Sequence, residues 1–532
     1  MIDDRPVLAS SLRSSWDPSH PTYYCPVRTL LIELKSCYTP AYNHCRYIYG
    51  GRPIEQVTME MKSKDIHNQN KPLHIVVFPW LAYGHLMPFL QVSNFLAQKG
   101  HRISFISTPK NLHRLPTSSL SPLINLIELP LPAVDGLPHS AESTADIPIN
   151  KVPYLKKAYD KLELPLTEFL EHCDVNWIVH DFASHWLPRV VTRLGINSVF
   201  FTIFNATTMA FAGPPSEILS GGRQRPEDFT VVPKWINFPN YNVVFKLHEM
   251  VSHWDCMEDE VSDFQRFAAA IEGCDFVVTR TCPVFDADSL SLVNKLYSKP
   301  VLPLGMLPPV LPDTDHSADD ESEHGTWQSL REWLDGKKEK SVVYIALGTE
   351  VTLSRDSIHE LARGIEKSGL CFIWVLGHRQ EAGAPNMIPV GFEKRVEDRG
   401  LVWRGWAPQL RVLAHTAVGG FLTHCGWSSV IEALGFGRAL VLFSGASADQ
   451  GLIARLMHGK RVGLEIPRDD RDGSFSSEVV AESIRRVMVE EEGEVLRENA
   501  WAMREVFGNL SLNNKYLEEF NEVLESWPAS TS

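Results

Sequence analysis

Two groups of residues in this chain have types and spacing suited to chemistry. The denser is residues 406–450, WAPQLRVLAHTAVGGFLTHCGWSSVIEALGFGRALVLFSGASADQ. A diphosphate needs hydrogen-bond donors at the start of a helix. A ribose needs a carboxylate for its hydroxyls, and a flat base needs an aromatic face. All three occur here in order. Trp406, followed by Ala407-Pro408-Gln409, offers a ring face. His424-Cys425-Gly426-Trp427-Ser428-Ser429 reads as a strand end that opens a helix. Gly426 lets the backbone approach a ligand, and His424, Ser428 and Ser429 can donate to phosphate oxygens. Glu432 is the carboxylate, and Asp449-Gln450 closes the segment where ligands of parallel sheets bind. The segment implies a nucleotide-sugar site.

Each of these residues has a plainer reading. Trp406 can be a core tryptophan, and Gln409 can be solvated. Ser429-Val430-Ile431-Glu432 matches a capping box, S-x-x-E, which competes with the ribose for the Glu432 carboxylate. Asp449-Gln450 can be a helix start. Cys425 beside His424 suggests a thiol nucleophile, but adjacent strand residues point to opposite faces, so the two should not pair.

The second group is His85 with Asp181. A hydroxyl is a poor nucleophile until a base removes its proton, and histidine is the natural base near neutral pH. Tyr83-Gly84-His85 is expected in a loop after the first strand. Asp181 follows Trp177-Ile178-Val179-His180, again at a strand end. A carboxylate on the second ring nitrogen would fix the tautomer and stabilise the cation. His180 and His74 are nearby competitors, but His74 opens a strand at the opposite edge.

The elements that must position these groups alternate strand and helix. Strands are expected at 74–78, 101–107, 177–179, 198–201, 275–278 and 300–303, with helices at 88–99 and 188–194. The rhythm breaks at 308–326, where six acids accumulate without Lys or Arg, as in an exposed linker. It restarts with strands at 341–347, 372–376, 400–402, 418–422 and 439–442, and a last helix is expected near 513–526. The expected fold is two α/β domains, each a doubly wound parallel sheet, facing a cleft. Boundaries fall at 71–307 for the first domain and 327–508 for the second. Residues 509–532 should form a helix returning to the first domain. Residues 1–70 carry no sustained period and are expected to be a disordered extension, with Met59 and Met61 just before the first strand. Removing residues 1–58 should leave activity intact, as a truncation assay would show.

Composition bounds the function class. The chain has 532 residues, formal net charge −14 and mean hydropathy −0.13. That charge argues against nucleic acid or an anionic membrane as partner. No apolar run reaches the roughly 18 residues of a membrane span, and no signal peptide is evident. Nine cysteines without a CxxC pair suit a reducing compartment, so a cytoplasmic location is expected. No G-x-G-x-x-G follows the first strand, which disfavours a Rossmann oxidoreductase.

Residues 406–450 resemble the signature box of plant UDP-dependent glycosyltransferases, the family 1 enzymes of GT-B fold, and the similarity extends over about residues 72–527. The resemblance implies that Trp406 stacks on uracil and that Ala407 contacts it through its backbone. It places Gln409 and Glu432 on the ribose, and His424, Ser428 and Ser429 on the diphosphate. Trp427, Asp449 and Gln450 would face the transferred sugar. Gly348-Thr349 resembles the family's Gly-Ser phosphate contact. Gly84-His85-Leu86-Met87-Pro88 fits the catalytic-histidine context GH-x-x-P, and Asp181-Phe182 fits its partner.

The chain departs from the pattern in three places. Ser428 replaces the usual Asn, Ala439 the usual Pro, and Phe443–Ala448 holds an apparent extra residue. The placement of Asp449 and Gln450, and with it the sugar, stays open. The implied activity is inverting transfer of glucose or rhamnose from its UDP-sugar to a flavonoid, a terpenoid or their glycosides, by a monomer. The UDP-sugar would act as co-substrate, with no cofactor and no metal. The flavour of the box points to the branch that extends existing sugar chains. The alternative is a UDP-sugar binder that has lost turnover.

Overall fold

The computed structural model describes residues 48–49, 52–53, 72–116, 120–254, 261–311, 321–348, 353–376, 387–445 and 449–528. The expectations for residues 1–70 therefore lie almost wholly outside the described residues, as do Thr349 and residues 312–320 of the acidic stretch.

The first sheet has seven strands: β1 (His74–Phe78), β2 (Arg102–Ser107), β3 (Ile124–Glu128), β4 (Trp177–His180), β5 (Asn197–Thr202), β6 (Phe276–Thr279) and β7 (Val301–Pro303). Every pairing is parallel, in the order β3-β2-β1-β4-β5-β6-β7. The second sheet has six: β8 (Val342–Ala346), β9 (Cys371–Leu376), β10 (Gly400–Arg404), β11 (Val418–Thr423), β12 (Ala439–Leu442) and β13 (Gly463–Glu465). Its order is β10-β9-β8-β11-β12-β13, again all parallel. The central strands are apolar runs buried along their whole length, as sheets covered by helices on both faces require.

Within these two sheets, the strands absent from the sequence reading, β3 and β13, are edge strands. Their residues, INLIE and GLE, are only partly buried and carry no clear period.

Eight helices matter below: α1 (Tyr83–Gln98), α2 (Leu247–Trp254), α3 (Pro283–Tyr297), α4 (Glu321–Asp335), α5 (Gln409–Ala414), α6 (Trp427–Gly435), α7 (Gln450–Gly459) and α8 (Leu510–Ser526). α1 begins at Tyr83, not near Pro88, and carries Pro88 in its interior. His85 is therefore in a helical first turn rather than a loop. α4 begins inside the stretch expected to be linker.

α8 returns to the first sheet. Leu517, Phe520 and Leu524 join Phe89, Trp177 and Phe276 in one buried cluster. The Trp177 indole donates to the Leu524 carbonyl at 3.2 Å, and the His101 ring is 2.8 Å from Asn521 Oδ1. Each such buried side chain contributes roughly 1.5–3 kcal/mol, so α8 is part of the first domain's core.

Strand order reverses between β1 and β4 in one sheet and between β8 and β11 in the other. Neighbouring strands there send their following chain to opposite faces, and a crevice opens at their C-terminal ends. Both groups singled out from the sequence sit at these switch points. His85 and Asp181 follow β1 and β4, whose last residues Phe78 and His180 are paired. Gly348 and His424 follow β8 and β11, where Ala346 pairs Thr423.

Candidate active site

At the first switch point His85 Nδ1 lies 2.7 Å from Asp181 Oδ2. The same oxygen accepts the Trp80 backbone N–H at 3.0 Å, and Oδ1 accepts that of Phe182 at 2.7 Å. Asp181 is 1% exposed, so three donors hold a carboxylate that water barely reaches. The loop carrying it is pinned in turn. Arg266 donates to the Ala183 carbonyl at 2.8 Å and binds Asp160 through two bonds of 2.6 Å. An Nδ1–H given to Asp181 leaves the lone pair on Nε2, the tautomer that a general base needs. The Phe182 ring stands 5.8 Å from the imidazole, and Tyr83, two residues before His85, is exposed.

The competing histidines are structural. His180 is fully buried, stacks on Phe200 and donates Nδ1 to the Asp181 carbonyl; burial pulls it down to about 4, so it stays neutral. His74 bonds Ser104 and the Asp174 carbonyl at the far end of β1.

At the second switch point α6 starts at Trp427, with Gly426 as a cap that makes no side-chain bond. Ser428 and Ser429 thus lie in the first helical turn, where backbone N–H groups have no intrahelical partner. The capping-box reading fails on this geometry, because Ser429 is inside the helix. Glu432 instead accepts Gln409 Nε2 at 2.6 Å, and that nitrogen is 3.3 Å from Ser429 Oγ. Desolvation pushes the Glu432 carboxyl up, while the Gln409 bond and the Arg280 charge pull it back.

His424 lies in a slot between two glycines. A Cβ at Gly348 would stand 2.8 Å from its ring, and one at Gly426 would stand 2.5 Å from Nε2. Its Nδ1 is buried without a partner among the described residues, and burial pulls the imidazole down to about 4. A neutral ring still has one N–H to donate. Cys425 has φ +69°, so His424-Cys425-Gly426 is a turn past the end of β11, not a strand. Its thiol is fully buried and pushed well above the ordinary range, which is the opposite of what a thiolate nucleophile needs.

Trp406 follows β10 with half its surface exposed, and Ala407 beside it is buried. Asp449 is the residue before α7 but makes no capping bond. Its Oδ2 and the Gln450 Oε1 are buried and unpartnered among the described residues. Burial raises the Asp449 carboxyl to about 7, and the charge of His85 pulls the other way. The charge of His85 therefore reaches Asp449 of the second domain.

One expectation needs correction. The Trp427 side chain does not face a sugar site. Its indole N–H donates to the Arg280 carbonyl at 2.8 Å, and its ring packs on Phe285 and Phe507. What Trp427 can offer a ligand is a backbone N–H.

Two residues that contact this region were not singled out from the sequence. Arg280, just past β6, donates Nη1 to Ser428 Oγ at 2.6 Å. A cation at the C-terminal end of a parallel strand was the available signal. Glu249 on α2 accepts the Ser444 hydroxyl at 2.6 Å and Arg455 Nη2 at 2.5 Å. Those partners are 195 and 206 residues away, and no local pattern marks them.

Among the described residues no group of three or more His, Cys, Asp or Glu side chains is placed to hold a metal. No helix among them is long and apolar enough to cross a membrane.

Two doubly wound sheets, with a phosphate-type helix start at one switch point and a His–Asp pair at the other, define a glycosyltransferase of GT-B architecture. Residues 241–505 match the family model described as UDP-glucoronosyl and UDP-glucosyl transferase. The chain is 46% identical over 472 residues to UDP-glycosyltransferase 91C1 of Arabidopsis thaliana, covering 88% of this chain and 100% of that one. It is 37% identical to soyasaponin III rhamnosyltransferase of Glycine max, over 89% of this chain and 99% of that one. The fold matches the crystal structure of Arabidopsis thaliana UGT89C1 complexed with quercetin with a TM-score of 0.66, at 24% identity, over 85% of this chain and 100% of that one. The chain belongs to the plant UDP-glycosyltransferase family, and it is an enzyme that uses a UDP-sugar.

Proposed function

We propose that the protein is an inverting transferase that moves glucose or rhamnose from its UDP-sugar to a hydroxyl of a small glycosylated acceptor of the flavonoid or terpenoid kind. The observation that carries this is the His85–Asp181 bond of 2.7 Å at the end of β1 and β4. His85 Nε2 takes the acceptor hydroxyl's proton as that oxygen bonds to the anomeric carbon. The bond to the diphosphate oxygen breaks on the opposite face, and UDP leaves with the electron pair. Asp181 orients the imidazole and offsets its charge as it becomes a cation.

In this reading Trp406 and Ala407 take the uracil, and Gln409 with Glu432 the ribose. The start of α6, with Ser428, Ser429, His424 and Thr349, meets the diphosphate charge without a metal. Asp449 and Gln450 present unmet hydrogen-bonding capacity of the kind that sugar hydroxyls satisfy. The soybean relative's name joins rhamnose to a soyasaponin, which supports a rhamnose-capable donor site and a terpenoid-type acceptor.

His85→Ala should lower turnover by roughly 10²–10⁴-fold with UDP binding retained; an unchanged rate would remove the assignment. For donor and acceptor, the enzyme should be incubated with UDP-glucose and UDP-rhamnose against flavonoid and terpenoid aglycones and monoglycosides. A hexose or deoxyhexose increment confined to glycosides is the expected product. Increments on aglycones alone would replace the acceptor class, and UDP binding with no product would favour a binder without turnover.

A further inference from the structure

Arg280 belongs to the first domain, yet two of its hydrogen bonds cross to the second. It is 2% exposed. Nε donates to the Met306 carbonyl at 2.9 Å, and Nη2 donates to the Leu307 carbonyl at 3.1 Å. Both carbonyls lie on the connector leaving β7, where Leu307 is held at φ +50°. Nη1 reaches Ser428 Oγ at 2.6 Å, while the Arg280 carbonyl accepts the Trp427 indole at 2.8 Å. One residue thus grips the connector with its guanidinium and the first two residues of α6 with both side chain and backbone.

The chemistry of the Ser428 contact is directional. A guanidinium only donates, so Ser428 Oγ must be the acceptor. The hydroxyl keeps one hydrogen, and Arg280 cannot take it. An N–H···O–H chain polarises its outer member, and a cation at its inner end makes the outer bond charge-assisted. Arg280 is buried from water, so its charge is weakly screened. Ser428 stands where the resembled signature carries a longer Asn, and here a guanidinium backs the shorter side chain.

We propose that Arg280 is a positioning residue for the donor diphosphate. It holds the Ser428 hydroxyl with its hydrogen directed at a phosphate oxygen, and it lends its charge to that bond from the opposite domain. The inference rests on reading the start of α6 as the diphosphate site.

The test is the dissociation constants of UDP and of uridine for the wild type, Arg280→Gln, Ser428→Ala and the double variant, with a thermal melt of each. UDP affinity should fall roughly tenfold or more in Arg280→Gln, while uridine, which has no phosphate, binds all four proteins alike. Ser428→Ala should show the same selective loss, and the double variant should be no worse than the poorer single. Should Arg280→Gln not fold, Ser428→Ala and Arg280→Lys carry the same comparison. Equal weakening of UDP and uridine would reduce Arg280 to a structural strut and overturn the proposal. So would losses that add in the double variant, or a lower melting temperature with UDP affinity unchanged. A wild type that does not bind UDP would overturn the reading of the site itself, a different failure from a wild type that binds while the variants do so equally well.

Discussion

Asp449 shows how one buried carboxyl links the site to stability. An ordinary aspartate titrates near 3.8, and burial holds this one near 7 in the folded protein. Between those values the folded state keeps a proton that the unfolded chain has released. Stability is therefore lost as pH rises through that window, the sign expected for a raised acid. Asp449→Asn should melt higher than the wild type at pH 8 and at the same temperature below pH 4. A constant difference across the range would show that the carboxyl is not held protonated. A buried acid that resists ionisation suits a group that donates to or accepts from a sugar hydroxyl.

The turns after β8 and β11 shape the second switch point with backbone, where the first uses the side chains of His85 and Asp181. Two backbones close on His424 at Gly348 and Gly426, and neither position has room for a methyl group. Gly426 needs no unusual backbone angle, so its requirement is close approach alone. Gly426→Ala should therefore push the imidazole aside and weaken UDP binding by roughly tenfold, a loss of about 1.4 kcal/mol, as calorimetry would read. Unchanged affinity would show that His424 can move without consequence. At the same scale, much of the fold could be read from the chain. β1 and β12 lie where their apolar runs ended, because strands buried on both faces leave an unbroken signature. β3 and β13 escaped because edge strands need not be apolar. The start of α1 was misplaced because proline usually marks a helix's first turn, whereas Pro88 sits one turn further in.

Among the described residues, contacts cross between the two sheet domains. α8 builds the first domain's core, Arg280 reaches α6, and Glu249 on α2 binds Ser444 and Arg455 behind Asp449-Gln450. Glu249 and Arg455 are both nearly inaccessible to water, and removing one partner of a buried pair leaves the other uncompensated. Glu249→Ala should cost roughly 3–5 kcal/mol and should also raise the KM for UDP-sugar, because Ser444 loses its anchor. A denaturation curve with a donor titration checks both, and a wild-type midpoint would show that the Arg455–Glu465 contact at 3.4 Å suffices alone.

The sequence by itself determined the two parallel sheets, the switch-point residues and the identity of the His–Asp pair. Buried strands must be apolar, and ligand residues must follow strand ends, so both facts are written locally. Only the tertiary structure decided that the Trp427 indole binds the Arg280 carbonyl, that Ser429 is no cap, that Cys425 lies in a left-handed turn, and that Arg280 and Glu249 bond across to the other domain. The Trp427, Arg280 and Glu249 contacts depend on where a distant backbone arrives, and a partner 147 to 206 residues away leaves no mark on neighbouring residues; the cap and the turn depend on where β11 ends and α6 begins.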